Sequence, residues 1–222
     1  IPLHENYGLK KAKDLFAYRL LKAEYSTEKL VRAQKLIRER YKITIREVNF
    51  KNKKHFMKDI EQVRDMYNKA WEKNWGFVKM TDAEFDFAAN DLKQFAEQKL
   101  IFFAEFEGVP AGFVLSLPDI NQCLIHNRSG SLPGAIWHLL TRKKKITSLR
   151  VLLLGVLPEY RKTGVDAVLY YETGIRGTSM GIVEGEASWI LEDNEMLNRA
   201  LTSTTNNKVF KVYRIYDKKI TQ

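Results

Sequence analysis

The residues whose types and spacing could do chemistry lie in the run Leu149–Met180, LRVLLLGVLPEYRKTGVDAVLYYETGIRGTSM. Valine and leucine fill Val151–Val156 around one glycine, Gly155, and Pro158 stops the run because it cannot extend a ladder. Arg161, Lys162, Thr163 and Gly164 follow, and Val165, Val168, Leu169, Glu172 and Ile175 then recur at helical spacing. A strand, a basic glycine-containing turn and a helix start therefore stand in series. The first N–H groups of a helix have no partner within it, and its dipole is positive at that end. A turn of this kind offers an anion site, with a phosphate as the expected guest.

The flanking elements must position that turn. Ile43–Phe50 alternates as a strand, and Phe56, Ile60, Val63, Tyr67, Trp71 and Trp75 predict a helix that Gly76 ends. Thr81-Asp82-Ala83-Glu84 is a capping-box sequence, opening a second helix with an apolar stripe of Phe85, Ala88, Leu92 and Phe95. Such aromatic stripes more often form core than line a pocket, and core is the expectation here. Leu100–Phe106 and Val109–Leu117 predict a hairpin turning at Glu107-Gly108. Residues 119–148 break the rhythm, with a short apolar helix near Ala135–Leu140 and a cationic Arg142–Lys145 run at its end. Gly181–Leu191 predicts a strand, Asp193 or Asn194 caps a helix over Glu195–Ser203, and Val209–Tyr216 is a last strand. From Ile43 onward the order is mixed α/β rather than a strict βαβ repeat.

Composition sets the bounds. At 222 residues and 45% hydrophobic content, the chain can bury a substantial core as one domain plus extra, or as two small ones. Apolar runs such as Val151–Leu154 are too short to cross a bilayer, and no signal segment stands at the front, so the chain reads as soluble. Cys123 stands alone, which excludes an internal disulfide, and His4, His55, His126 and His138 have no metal-ligand spacing; a reducing, cytoplasmic setting without a metal is expected. The net charge of +10 is concentrated at the front: residues 1–54 hold 15 Lys/Arg against 6 Asp/Glu, and the remainder 22 against 21. Ser26 can cap a basic helix with an apolar stripe of Leu30, Ala33, Ile37 and Tyr41. No aromatic residue interleaves its cations for base stacking, so it reads as a solvated linker and nucleic acid is not an expected partner.

In order and in residues, the chain resembles the GCN5-related N-acetyltransferase (GNAT) superfamily. A strand ending Val156-Leu157-Pro158 precedes Arg161-Lys162-Thr163-Gly164-Val165-Asp166, matching the family's V-x-P followed by [Q/R]-x-x-G-x-[G/A]. Trp189-Ile190-Leu191 then leads to Asn194, a helix and a final aromatic strand, Val212-Tyr213-Arg214-Ile215-Tyr216. The resemblance covers about Ile43–Ile220. More narrowly, WEKNWGF (Trp71–Phe77), the LLLGVLPEYRKTGVDA run (Leu152–Ala167) and SWILEDN (Ser188–Asn194) are similar to a bacterial tandem group of such proteins of unassigned substrate.

The resemblance implies an α/β (mixed α+β) acyl-CoA N-acyltransferase fold with a central, mostly antiparallel mixed sheet flanked by helices. It implies acetyl-CoA or another acyl-CoA as cosubstrate and a small-molecule, peptide or protein amine as acceptor, by direct transfer. Backbone amides of Arg161, Lys162, Thr163, Gly164, Val165 and Asp166 would hold the pyrophosphate, and the strand edge at Leu154, Gly155 and Val156 the pantetheine. The Val156 N–H would serve as oxyanion donor, Asn194 would bind the pantetheine arm, and Glu186 is a candidate general base. Two positions depart from the family pattern: Asp166 replaces a small residue, and Leu201 stands where many members carry a tyrosine acid. A CoA-binding remnant without activity is one alternative. Another is an aminoacyl-tRNA-dependent acyltransferase related to the peptidoglycan-bridge-forming proteins. The basic-aromatic-Tyr-Arg pattern of residues 8–20 is similar to that of residues 207–215, so residues 1–25 are expected to be the end of an upstream copy, 26–42 a linker helix and 43–222 the acyltransferase domain.

Overall fold

The computed structural model describes residues 2–22, 27–205 and 209–219. Its main elements are β1 (Lys10–Leu21), α1 (Glu28–Tyr41), β2 (Ile43–Glu47), α2 (Lys53–Trp71), α3 (Asp82–Lys93), β3 (Ile101–Phe106), β4 (Val109–Pro118), α4 (Leu132–Arg142), β5 (Ser148–Val156), α5 (Val165–Ser179), β6 (Glu184–Leu191), α6 (Glu195–Thr205) and β7 (Val209–Asp217); shorter helical turns are left unnumbered. The strands form one sheet in the order β2-β3-β4-β5-β6-β1-β7. Every neighbouring pair is antiparallel except β5 with β6. The mixed, mostly antiparallel sheet that the resemblance implies is the one observed.

Helices cover both faces of the sheet. Ile101 and Phe103 of β3 face α2, whose Phe56, Ile60, Val63 and Met66 are buried against them. Phe102 and Ala104 face the opposite way, onto Val165, Val168 and Leu169 of α5. Successive strand residues point to opposite faces, so a strand covered on both sides has no polar alternation to display. That is why IFFA reads as an unbroken apolar run. The β3–β4 hairpin turns as expected on Glu107 and Gly108, both at positive φ (48° and 85°), the geometry of a two-residue type I′ turn.

Several boundaries differ from the sequence expectation for local reasons. The strand expected at Asp14–Leu20 runs from Lys10 to Leu21 and lies inside the sheet, between β6 and β7. The segment expected to end an upstream copy thus lends a strand to the same sheet as the acyltransferase-like elements, burying Ala17, Tyr18 and Leu20. Its partners lie far along the chain, at Glu184–Leu191 and Val209–Asp217, so its sequence pattern announces a strand but not a neighbour.

Helix α2 stops at Trp71 rather than at Gly76, because the chain turns back on Trp71 O through the Asn74 N–H at 2.8 Å. Thr27 caps α1, its hydroxyl accepting from the Leu30 N–H at 3.4 Å; Ser26 lies outside the described residues. Nor is α1 a free linker. It packs on α5, with Arg38 bonded to Glu172 at 2.5 Å.

Candidate active site

The cleft begins where two parallel strands part. β5 and β6 pair only over Ser148–Val151 and Glu184–Ala187. At that point Leu152 is an extra residue in β5, since Leu153 opposes Leu115 while Val151 opposes Ser116. Such a bulge bends and twists its strand, and here β5 swings away while β6 stays on β1, Phe16 opposite Ile190 and Leu15 opposite Leu191. A V opens between Leu152–Val156 and Ser188–Leu191. The Leu157 N–H bonds Ala111 O of β4 at 2.9 Å. Along an antiparallel strand the polar groups of successive residues alternate in direction, so Gly155 also turns toward β4. Leu154 and Val156 then turn their N–H and C=O groups into the V. Of the three residues expected along that edge, Leu154 and Val156 thus face the open side, where no ladder partner meets their amides among the described residues, and Gly155 does not.

Gly155 is buried in that strand for a packing reason. A Cβ there would meet the Trp71 indole at 2.5 Å, so the glycine is what lets α2 seat its last aromatic on the sheet. Trp71 in turn stacks on Tyr67 at 5.1 Å and contacts Phe113.

At the end of β5 the chain turns through Lys162 (φ 70°) and Gly164 (φ 88°) into α5. Among the described residues no acceptor engages the N–H groups of Lys162, Gly164, Val165 or Asp166, while those of Arg161 and Thr163 bond Pro158 O and Tyr160 O. The turn is thus a concave set of donors at the positive end of a helix of 15 residues. The two cations part company. Lys162 is exposed beside the turn, whereas Arg161 donates to Ala70 O at 2.9 Å and ties α2 to the cleft. Asp166 is exposed in the first turn of α5, where the helix dipole favours its charge. Ile37 of α1 lies against Gly164, 2.6 Å from where a Cβ would stand.

The opposite arm of the V carries the remaining predicted residues. Asn194 caps α6, its Oδ1 accepting from the Leu197 N–H at 3.3 Å. Leu201 is 4% exposed, packed with Tyr18, Leu20 and Ile190, and its position is a core position. Glu186 accepts from Ser188 Oγ at 2.6 Å and from Lys211 Nζ at 2.9 Å, with Arg150 Nε at 3.9 Å. Burial acts to raise the Glu186 pKa, but the Ser188 hydrogen bond and the Lys211 and Arg150 charges outweigh it, and the net shift is downward from 4.5. Glu186 is therefore ionised at neutral pH and only weakly basic, and it meets the cleft through Ser188.

Beneath the fork, between α2, α3 and the sheet, lies a cavity of about 480 Å³. Its walls include Ile60, Val63, Phe85 and Leu92 from the helices, and Leu153 and Trp189 from the two arms of the V. The size falls within the ~300–1,000 Å³ usual for small-molecule sites. Arg150 and Ser188 are its polar groups nearest the fork, and the Arg150 guanidinium lies 5.0 Å from the Trp189 ring. The aromatic and aliphatic stripes of α2 and α3 thus serve as core and as cavity wall at once; the sequence favours the first role and leaves the second open as the alternative. Ser188, Arg150 and Ile37 were missed as site residues. Alternation along Gly185–Trp189 could have paired Ser188 with Glu186, whereas nothing local in the sequence links Ile37 to Gly164.

No protein-family model matches the chain. A curated relative, the bacterial ceramide synthase of Caulobacter vibrioides, is 29% identical over 227 residues, covering 98% of this chain and 57% of that protein. Protein YghO of Escherichia coli is 31% identical over 224 residues, covering 97% of this chain and 56% of that protein. The chain spans a little over half the length of these curated relatives. Among solved structures, a GCN5-related N-acetyltransferase from Sphaerobacter thermophilus superposes with a TM-score of 0.60 at 14% identity, over 97% of this chain and 54% of that one. The structure of AAC(6')-Iy with the bisubstrate analog CoA-S-monomethyl-acetylneamine gives a TM-score of 0.50 at 20% identity, over 80% of this chain and 99% of that one. The chain has the GNAT fold, as its motifs implied.

Proposed function

We propose that the protein is an acyl-CoA-dependent N-acyltransferase acting by direct transfer on an amine that carries a long hydrocarbon chain. One observation carries the first half of this reading: the open edge of β5, with the Leu154 and Val156 amides turned into the V, runs directly into the donor-lined turn at Lys162–Asp166. That is the layout an extended amide-containing arm ending in a pyrophosphate requires. Bound acyl coenzyme A supplies an activated thioester. The turn amides and Lys162 hold its phosphates, the β5 edge pairs with its amide arm, and the Val156 N–H donates to the carbonyl oxygen as negative charge develops there. The amine nitrogen forms the new C–N bond as the C–S bond breaks. Ser188 Oγ takes the amine proton and passes its own to Glu186; the departing thiolate is protonated by water, since Leu201 carries no acid, and the proton that Glu186 then releases neutralises the hydroxide left behind.

The second half rests on the apolar cavity at the fork and on the Caulobacter relative, whose name denotes formation of an N-acylated lipid amine. Calorimetry with coenzyme A, followed by thiol release across short-chain and long-chain amines, tests both halves. Absence of coenzyme binding removes the first half; equal rates with short and long amines remove the second. Ala89→Phe, which fills the cavity from α3, is expected to leave coenzyme binding intact and to reduce turnover of the long amines alone.

A further inference from the structure

The insert between β4 and β5, residues 119–147, serves neither the cleft nor the cavity, yet it is firmly built. Ser131 caps α4 through the Gly134 N–H at 3.3 Å, and the Asn127 side-chain amide donates to Ser131 O at 2.9 Å. Beneath α4, Leu139 packs on the cluster of Cys123, Ile146 and Leu149, and no residue of the helix is fully buried. The outward face is the unusual one. Leu132 is 73% exposed, Ile136 50%, Trp137 65% and Leu140 79%, and Ile125 in the preceding turn is 75% exposed. Positions 132, 136, 137 and 140 share one face of a helix. A helix on a globular domain ordinarily turns such a row inward; here it forms an apolar crest pointing away from the protein.

Cations stand at both ends of that crest. Arg128 precedes the helix, Arg142 ends it, Lys143–Lys145 follow, and Asp119 is the sole acid in residues 119–148. Lys143 reaches Glu97 at 2.6 Å, while among the described residues no ion pair engages Arg128, Arg142, Lys144 or Lys145.

We propose that α4 and its flanking turns dock on an anionic phospholipid bilayer, the apolar crest entering the acyl boundary while the cations meet the headgroups. A convex apolar ridge with an indole on it and unpaired cations at its ends matches a planar surface that is anionic outside and hydrocarbon beneath. A second copy of the chain fits less well, because face-to-face contact sets each cationic rim against another without acids to answer it. Docking of this kind does not depend on the reaction at the cleft.

Cosedimentation of the full-length protein with vesicles tests the assignment. Binding to phosphatidylcholine vesicles containing phosphatidylglycerol, weaker on phosphatidylcholine alone and weakened by salt, is the expected result. Lys144→Gln with Lys145→Gln is expected to weaken binding roughly 25-fold, at about fivefold per cation. Trp137→Ser with Leu140→Ser is expected to weaken it by more than ~10-fold; both residues are exposed, so the variant should retain its circular dichroism spectrum. Failure of the wild-type protein to bind, or equal binding by both variants, overturns the proposal. So does a dimer in sedimentation that Trp137→Ser with Leu140→Ser dissociates, which would assign the crest to a second copy.

Discussion

Gly164→Ala tests whether the first long helix is part of the cleft. Two separable costs are built into the site. Gly164 has φ 88°, and holding an L-residue in the left-handed region costs about 1–2 kcal/mol. The new methyl group would also stand 2.6 Å from Ile37 Cδ1 and 3.2 Å from Cγ1, an overpacking term of about 1–3 kcal/mol. In wild-type background the expected destabilisation is therefore about 2–5 kcal/mol. Removing the obstacle first, with Ile37→Ala, should leave only the backbone cost, so the cycle should show a favourable coupling of about 1–3 kcal/mol. The far end of an isoleucine can shift, which places the expectation toward the lower end. Urea unfolding of the four proteins measures the stability coupling, and titration with coenzyme A shows whether the turn loses affinity in step. Equal cost of Gly164→Ala in both backgrounds would mean that α1 does not press on the turn, and the integrated view of that helix would fail.

Three further outcomes follow from the same geometry. Gly155→Ala drives a methyl group into the Trp71 ring at 2.5 Å and should cost about 1–3 kcal/mol, read as a lower urea midpoint; an unchanged midpoint would show that α2 is not seated there. Glu186→Gln should lower kcat by about 10²–10⁴ with the KM for acyl-CoA unchanged, whereas Lys211→Met, which removes a charge holding the Glu186 pKa down, should shift the acid limb of kcat upward in pH; an unmoved limb would exclude Glu186 from the relay. The Arg214 hydrogen bonds hold Asp14 at a pKa of about 2 against 3.8, with burial opposing and Lys11 assisting. Because the folded value lies below the unfolded one, this stabilisation is complete above ~4 and is lost as pH falls toward ~2. Asp14→Asn should be less stable than wild type at neutral pH and should close that gap on acidification, in urea melts across the range.

The pieces of the cleft that depend on local chemistry could be read without coordinates. Pro158 marks the end of β5, the Arg161–Gly164 turn announces a donor-lined helix start, and Asn194 announces a cap, because each acts within a few residues of chain. The type I′ turn at Glu107-Gly108 belongs with them. What failed to show was everything assembled across distance. β1 gave no sign of its neighbours, since a strand's alternation reports which faces are covered and not by what. The stripe of α2 could not reveal that it walls a cavity, because a wall and a core face have the same composition.

The sequence by itself therefore determined the order of strands and helices, the basic glycine-containing turn at a helix start and the resemblance that gives the fold, all written in periodicity and short spacings. Only the tertiary structure decided that Leu152 bulges where β5 leaves β6, that the Leu154 and Val156 amides face the opening, and that Glu186 is held ionised behind Ser188. It also decided that α4 turns Trp137 and Leu140 outward instead of burying them. The physical reason is common to all four. Strand registry, cavity shape and the side a helix presents are set by contacts between residues far apart in the chain, and no local window of sequence contains both partners.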